Sequence, residues 1–158
     1  MYLLWKYQIL RSLVFTEPKI SYRYRESRKR YPKSWWFRTV RHPTITTFHK
    51  RFYRDGLKIV PKDIGKDLDA LALAVWIMDD GSLSKNKIDI STYSFTEKEV
   101  QLLQRVFKEN FGLIANYYRD RNKGYRMYFK ISETKKLISL IKPYIVDCLK
   151  YKINLKTP

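Results

Sequence analysis

The sequence predicts an α+β protein in which strand pairs followed by helices occur twice. Three observations carry that expectation. Residues 18–28 alternate Ile20, Tyr22 and Tyr24 with Ser21, Arg23 and Arg25, the period of two that belongs to a strand. The run Leu73-Ala74-Val75-Trp76-Ile77-Met78 ends abruptly in Asp79-Asp80-Gly81, as an apolar helix with an acidic terminus would. Thr96 and Glu99 make a capping box before the inward stripe Val100, Leu103, Val106 and Phe107.

The elements follow in order. Leu3, Leu4, Tyr7, Leu10, Leu13 and Val14 recur at spacings of three and four and predict an amphipathic helix ending near Phe15. The 18–28 strand carries arginines on one face and aromatics on the other. A basic turn from Lys29 to Lys33, containing Pro32, leads to a return strand over Trp35–Val40. Thr44–Tyr53 reads as a helix, and Arg54-Asp55-Gly56 as a turn. Asp69 is the expected N-cap of the helix that runs to Asp80, with Gly81 ending it at positive φ. A short strand at 87–92 precedes the capped helix. Strands at Leu113–Arg119 and Tyr125–Ile131 flank the polar turn Asp120–Gly124, and a last helix spans Ser132–Leu149 with Leu137, Leu140 and Ile141 inward.

Composition narrows the class. The 158 residues are 44% hydrophobic and 16% aromatic, enough for a packed core and against disorder. Lys and Arg number 33 against 15 Asp and Glu, a formal charge of +18, and a phosphate backbone is the natural partner of such a surface. Residues 1–60 hold 15 Lys and Arg against 3 acids, so the first part carries most of that attraction. The single Cys148 excludes an intrachain disulfide and a cysteine zinc cluster, and its apolar surroundings predict a small buried residue. His42 and His49 pair with no nucleophile in a recognisable pattern. No stretch has the length of a membrane span, so a soluble protein is expected. Residues 1–16, apolar and basic, suit either a targeting peptide or a packed element, and the packed element is preferred.

Two adjacent acids at the end of a buried helix are costly unless something offsets them, and a divalent metal is a frequent reason to keep them. The basic, aromatic ribbon of residues 18–40 could enter a nucleic-acid groove, with Arg23, Arg25, Arg28, Lys29, Arg30, Lys33 and Arg38 reaching phosphates or guanine edges. The alternative is a solvated hairpin whose arginines serve solubility.

Leu73–Gly81 resembles the LAGLIDADG motif of intron-encoded homing endonucleases and group I intron maturases. Further anchors stand in order: Phe37-Arg38-Thr39, Phe52-Tyr53, Lys58-Ile59-Val60-Pro61, Ser91-Thr92-Tyr93-Ser94-Phe95-Thr96, Lys142-Pro143-Tyr144 and Tyr151-Lys152. The resemblance implies an antiparallel strand saddle with flanking helices, seated on nucleic acid, in which two motif helices pack side by side. It implies Mg²⁺ held by Asp80, with Asp79 beside it, and Lys58 and Lys152 as basic residues near the reacting phosphate. Each has a plainer reading: Asp80 as a helix terminus, the lysines as phosphate contacts. Arg119, Arg121, Lys123 and Arg126, on the later strands and their turn, are further expected nucleic-acid contacts. Leu73, Ala74 and Ile77 are expected to meet a partner helix, from another protein or a second copy.

The resemblance divides the chain into an incomplete N-terminal repeat with the basic hairpin, 1–66, and a C-terminal repeat, 67–158. Only one motif is present, and one copy cannot build a two-carboxylate site. Homodimerisation, completion by a separately encoded half, or loss of cleavage with retained binding are the three routes left. The 72 residues before the motif argue against the first, since the resemblance implies a motif near the start in single-motif homodimers. The last predicts a non-catalytic RNA-binding component, of an intron particle or an organellar ribosome. A mitochondrial or chloroplast location follows from the resemblance alone.

Overall fold

A computed structural model describes residues 1–22 and 33–155, which form two compact units, Met1–Phe48 and His49–Pro158. The first unit opens with α1 (Tyr2–Ile9), followed by a 3₁₀ turn at Arg11–Leu13. The helix stops short of the expected Phe15 because Leu10 already leaves helical geometry, at ψ 13°. Tyr7 and Val14 are this unit's buried apolar residues among those described. Tyr7 meets Phe37 edge-on at 5.8 Å, and the Val40 amide donates to the Leu13 carbonyl at 2.8 Å. Strands β1 (Lys19–Tyr22) and β2 (Lys33–Trp36) pair antiparallel, Ile20 opposite Trp35, with the Ser21 and Ser34 hydroxyls hydrogen-bonded across the ribbon. The return strand therefore runs from Lys33 to Trp36 rather than from Trp35 to Val40. The expected contacts Arg23, Arg25, Arg28, Lys29 and Arg30 lie outside the described residues.

Helix α2 (Pro43–Phe52) leads into a small hairpin, β3 (Tyr53–Arg54) and β4 (Leu57–Lys58). Asp55 and Gly56 both take positive φ, 51° and 76°, the two-residue turn whose twist suits a tight hairpin. In the second unit α3 (Ala70–Asp80) is capped as expected, the Asp69 carboxylate accepting from the Ala72 amide at 2.7 Å. The capping box of α4 (Glu97–Phe111) is present in both directions, and Gly112 closes the helix at φ 64°.

The sheet of this unit has the order β5-β6-β8-β7, antiparallel throughout: β5 (Gly81–Ser84), β6 (Lys87–Thr92), β8 (Gly124–Phe129) and β7 (Ala115–Asp120). Strand β5 was not expected. The turn joining it to β6 is Lys85-Asn86, both at positive φ, without the glycine that usually betrays such a hairpin. Ile88, Ile90, Ala115, Met127 and Phe129 point to one face, where Leu73, Ile77, Leu103, Phe107 and Leu137 from the helices complete a core with side chains at most 5% exposed. Phe107 is its centre, edge-on to Phe129 at 5.3 Å and stacked on Trp76 at 6.2 Å.

Helix α5 (Ile131–Ile141) is shorter than the expected 132–149 segment. Pro143 cannot continue a helix, and two 3₁₀ turns follow, Lys142–Tyr144 and Asp147–Lys152. Cys148 consequently sits on an exposed turn rather than in the core.

Candidate nucleic-acid interface and acidic centre

Asp79 and Asp80 are the last residues of α3, both exposed. A helix C-terminus already carries partial negative charge on its free carbonyls, and α3 has no basic residue in its last turn. Lys152, 74 residues after Met78, supplies the missing cation. Its Nζ donates to the Met78 carbonyl at 2.7 Å and stands 3.4 Å from the carbonyls of Ile77 and Asp79. Burial pushes the Lys152 ammonium below its usual pKa, against the opposing pull of Asp79 and Asp80.

Gly81 ends the helix differently from the expectation. Its φ is −80°, so a left-handed cap is not its reason. A Cβ there would stand 2.6 Å from the Ile77 carbonyl oxygen and 2.9 Å from the Ile77 Cα. Only glycine lets β5 leave the helix so tightly that Asp80 is delivered to the edge of the sheet.

Asp80 opens onto a cleft of about 260 Å³ lined also by Lys58, Trp76, Ser91, Tyr93, Ser94 and Phe95. The Lys58 ammonium lies over the Phe95 ring at 5.9 Å. A carboxylate and a cation from segments 22 residues apart thus share one cleft. In the sequence Tyr93, Ser94 and Phe95 stand only as part of the 91–96 anchor, which carries no signal of their place in this wall. Among the described residues no cluster of three or more His, Cys, Asp or Glu is placed to hold a metal ion.

The sheet face away from the helices carries Ser82, Asp89, Ser91, Arg126, Tyr118 and Asn116, with Ser91, Arg126 and Tyr118 in line across β6, β8 and β7. Arg126 is held there: it donates to the Tyr93 hydroxyl at 3.0 Å and to Ser82 Oγ at 2.8 Å, and its Nε is 3.8 Å from Asp89. Tyr93 in turn donates to Asp120 at 2.9 Å. Burial raises the Asp89 carboxyl above its usual range, while Arg126 and Lys87 pull it down.

Other expected contacts divide. Arg121 and Lys123 are exposed on the β7–β8 turn. Arg119, however, is on the helix side of the sheet. It pairs with Tyr125, over whose ring it lies at 6.0 Å, and Tyr125 and Tyr117 both donate to Glu97 of α4. The strand alternation that exposes Tyr118 turns Arg119 the other way. Arg38 is exposed beyond the end of β2, 5.3 Å from the Trp36 ring, and Lys33 begins that strand. Leu73, Ala74 and Ile77, expected at a partner surface, are 0% exposed within this chain's own core. A helix turns 100° per residue, so the stripe left partly open is the opposite one, Ala72, Val75 and Asp79.

An apolar helix delivering two acids to the edge of a four-stranded antiparallel sheet is the architecture of a homing-endonuclease repeat, and the comparisons agree. The LAGLIDADG DNA endonuclease family matches residues 1–137, and the chain belongs to that family. A cytochrome b mRNA maturase bI2 of Debaryomyces hansenii is 34% identical over 119 residues, covering 75% of this chain and 45% of its own length. The DNA endonuclease I-ChuI of Chlamydomonas applanata is 30% identical over 169 residues, 97% of this chain and 78% of its own. Among solved structures, the homing endonuclease I-WcaI bound to its DNA recognition sequence superposes with a TM-score of 0.88 at 22% identity, over 99% of this chain and 72% of that one, a likeness of fold. No helix among the described residues is long and apolar enough to cross a membrane.

Proposed function

We propose that the chain binds nucleic acid and contributes one carboxylate-bearing half of a phosphodiester-cleaving centre, the other half coming from a second motif helix. The observation that carries this is the cleft shared by Asp80 and Lys58 at the end of α3. The 158 residues hold one such motif, so the second helix would come from another copy, another chain or another segment of polypeptide. The partly open stripe of Ala72 and Val75, small enough for close helix approach, is where it would pack.

The donor set fits Mg²⁺. That ion is commonly held by one or two carboxylates while water and a substrate phosphate complete its octahedron, so a cleft with Asp80, and Asp79 beside it, needs no third acid. Bound there, Mg²⁺ would supply Lewis acidity at a phosphoryl oxygen. Lys58 offsets charge that accumulates on the phosphoryl group. Lys152 holds the helix end that bears the acids, acting through the Met78 carbonyl rather than on substrate. The polar face built around Arg126, Tyr93 and Asp89 is suited to base edges, with Arg121 and Lys123 beside it for phosphates.

The test is cleavage of duplexes carrying candidate intron-insertion sites with Mg²⁺, by the chain alone and with a second-motif partner. Asp80→Asn should lower cleavage at least about 100-fold with little effect on binding. A second reading has its own support in the maturase relative: an RNA-binding component in which Asp80 is dispensable. Its ligand would be intron or ribosomal RNA, and the setting a mitochondrion or chloroplast. Absence of cleavage in both arms, together with tight RNA binding indifferent to Asp80→Asn, would favour that reading over the first.

A further inference from the structure

A second concavity, of about 1090 Å³, runs between the β3–β4 hairpin with the 59–63 segment on one side and α4 on the other. Its lining holds seven cations: Arg51, paired with Asp63 and Asp67, and Lys50, Arg54, Lys58, Lys62, Lys98 and Arg105, none of which makes an ion pair among the described residues. The acids nearby are occupied. Glu99 accepts from the Val60 amide at 2.9 Å and from the Thr96 amide and hydroxyl at 2.8 and 2.7 Å, and Asp63 takes Arg51 at 3.0 Å.

Lys98, Leu102 and Arg105 follow one another at spacings of four and three, a single stripe of α4 turned into the groove. Lys98 sits in the first turn, where the helix dipole disfavours a cation. Six unpaired cations along one trough repel each other unless a polyanion lies among them. The groove also shares Lys58 and Ser94 with the Asp80 cleft, so the two concavities are continuous.

We propose that this groove is a second nucleic-acid contact, a track for the phosphodiester backbone of a strand leaving the Asp80 cleft past Lys58 along α4. It rests on the reading that the chain binds nucleic acid, and it adds a surface distinct from the strand face. The ligand chemistry is the phosphate backbone, whether of DNA or of folded RNA.

The experiment compares wild type, Lys98→Glu/Arg105→Glu and Lys130→Glu/Lys135→Glu. The last pair changes net charge equally at exposed positions outside the groove. Binding is measured across a salt series to a 40-bp mixed-sequence duplex and to a structured RNA of similar length, with circular dichroism confirming the fold of each variant. The groove variant should lose roughly 10- to 100-fold in affinity and flatten the salt dependence by about 0.9 per lost phosphate contact on duplex, while the control pair keeps the wild-type slope. Loss on one probe alone names the source of the backbone. Equal losses and slopes for the two pairs would overturn the groove while leaving the general reading intact, and failure of the wild type to bind either probe would overturn both.

Discussion

The two units of this chain differ in apolar burial and in density of charge. Among the described residues, Met1–Phe48 has 2 buried apolar side chains, Tyr7 and Val14, whereas His49–Pro158 has 21. The first unit also displays large apolar groups to solvent, with Phe15 76%, Ile9 57% and Trp35 52% exposed. The described part of that unit has little apolar burial to set against its chain entropy. The second unit is a packed body whose core includes the helix that carries the acids. Apolar burial is concentrated around that helix, while charge is denser in the first unit, with 11 Lys and Arg against 2 acids in its 48 residues.

The largest effect expected is at the centre of the second unit. Phe107→Ala should cost about 3–5 kcal/mol and shift the main denaturant-unfolding transition; an unchanged midpoint would break the contrast between the units. Gly81→Ala should cost about 1–3 kcal/mol, because the added Cβ meets backbone atoms of Ile77 that cannot rotate away. The same variant should lower any metal-dependent cleavage, read in parallel with the melt. Thr96→Ala removes one arm of the capping box and should cost about 1 kcal/mol, measured by the same unfolding titration.

Lys152→Gln carries a pH signature. A lysine whose folded-state pKa is lowered binds fewer protons folded than unfolded. Wild-type stability relative to Lys152→Gln should therefore rise with pH as it climbs from the lowered value toward the ordinary 10.5. A flat difference across alkaline unfolding titrations would mean that Lys152 is not desolvated against the helix end. The smallest effect is at the exposed Trp35, where replacement by Ala should move stability by no more than about 0.5 kcal/mol. A larger loss in thermal melting would reveal a hidden core in the first unit.

Local chemistry was legible and long-range geometry was not. The Asp69 cap, the Thr96–Glu99 box and the inward stripe of α4 are settled within a few residues of chain, and all three stand as read. Placing Asp80 and Lys58 in one cleft needed the family pattern, since 22 residues separate them. Arg119 and Tyr118 show the limit of alternation: both faces of β7 carry polar and aromatic groups, so its period of two fixes no direction until pairing with β8 does. Glu133 gave no signal of burial, yet it is 7% exposed and takes the Ile114 amide at 2.8 Å, which lowers its pKa ahead of the contribution from Lys136. For Leu73, Ala74 and Ile77 the sequence distinguished an apolar face but not whose core it would fill.

The bond from Lys152 to the carbonyl of Met78 also imposes an order on synthesis. A nascent chain that has made α3 and all four strands of the sheet still lacks the ammonium that quiets the acidic end of that helix. Until the ribosome has delivered residue 152, the motif exists as sequence without its finished geometry. Truncation before residue 152 would thus leave the Met78 carbonyl without its cationic donor.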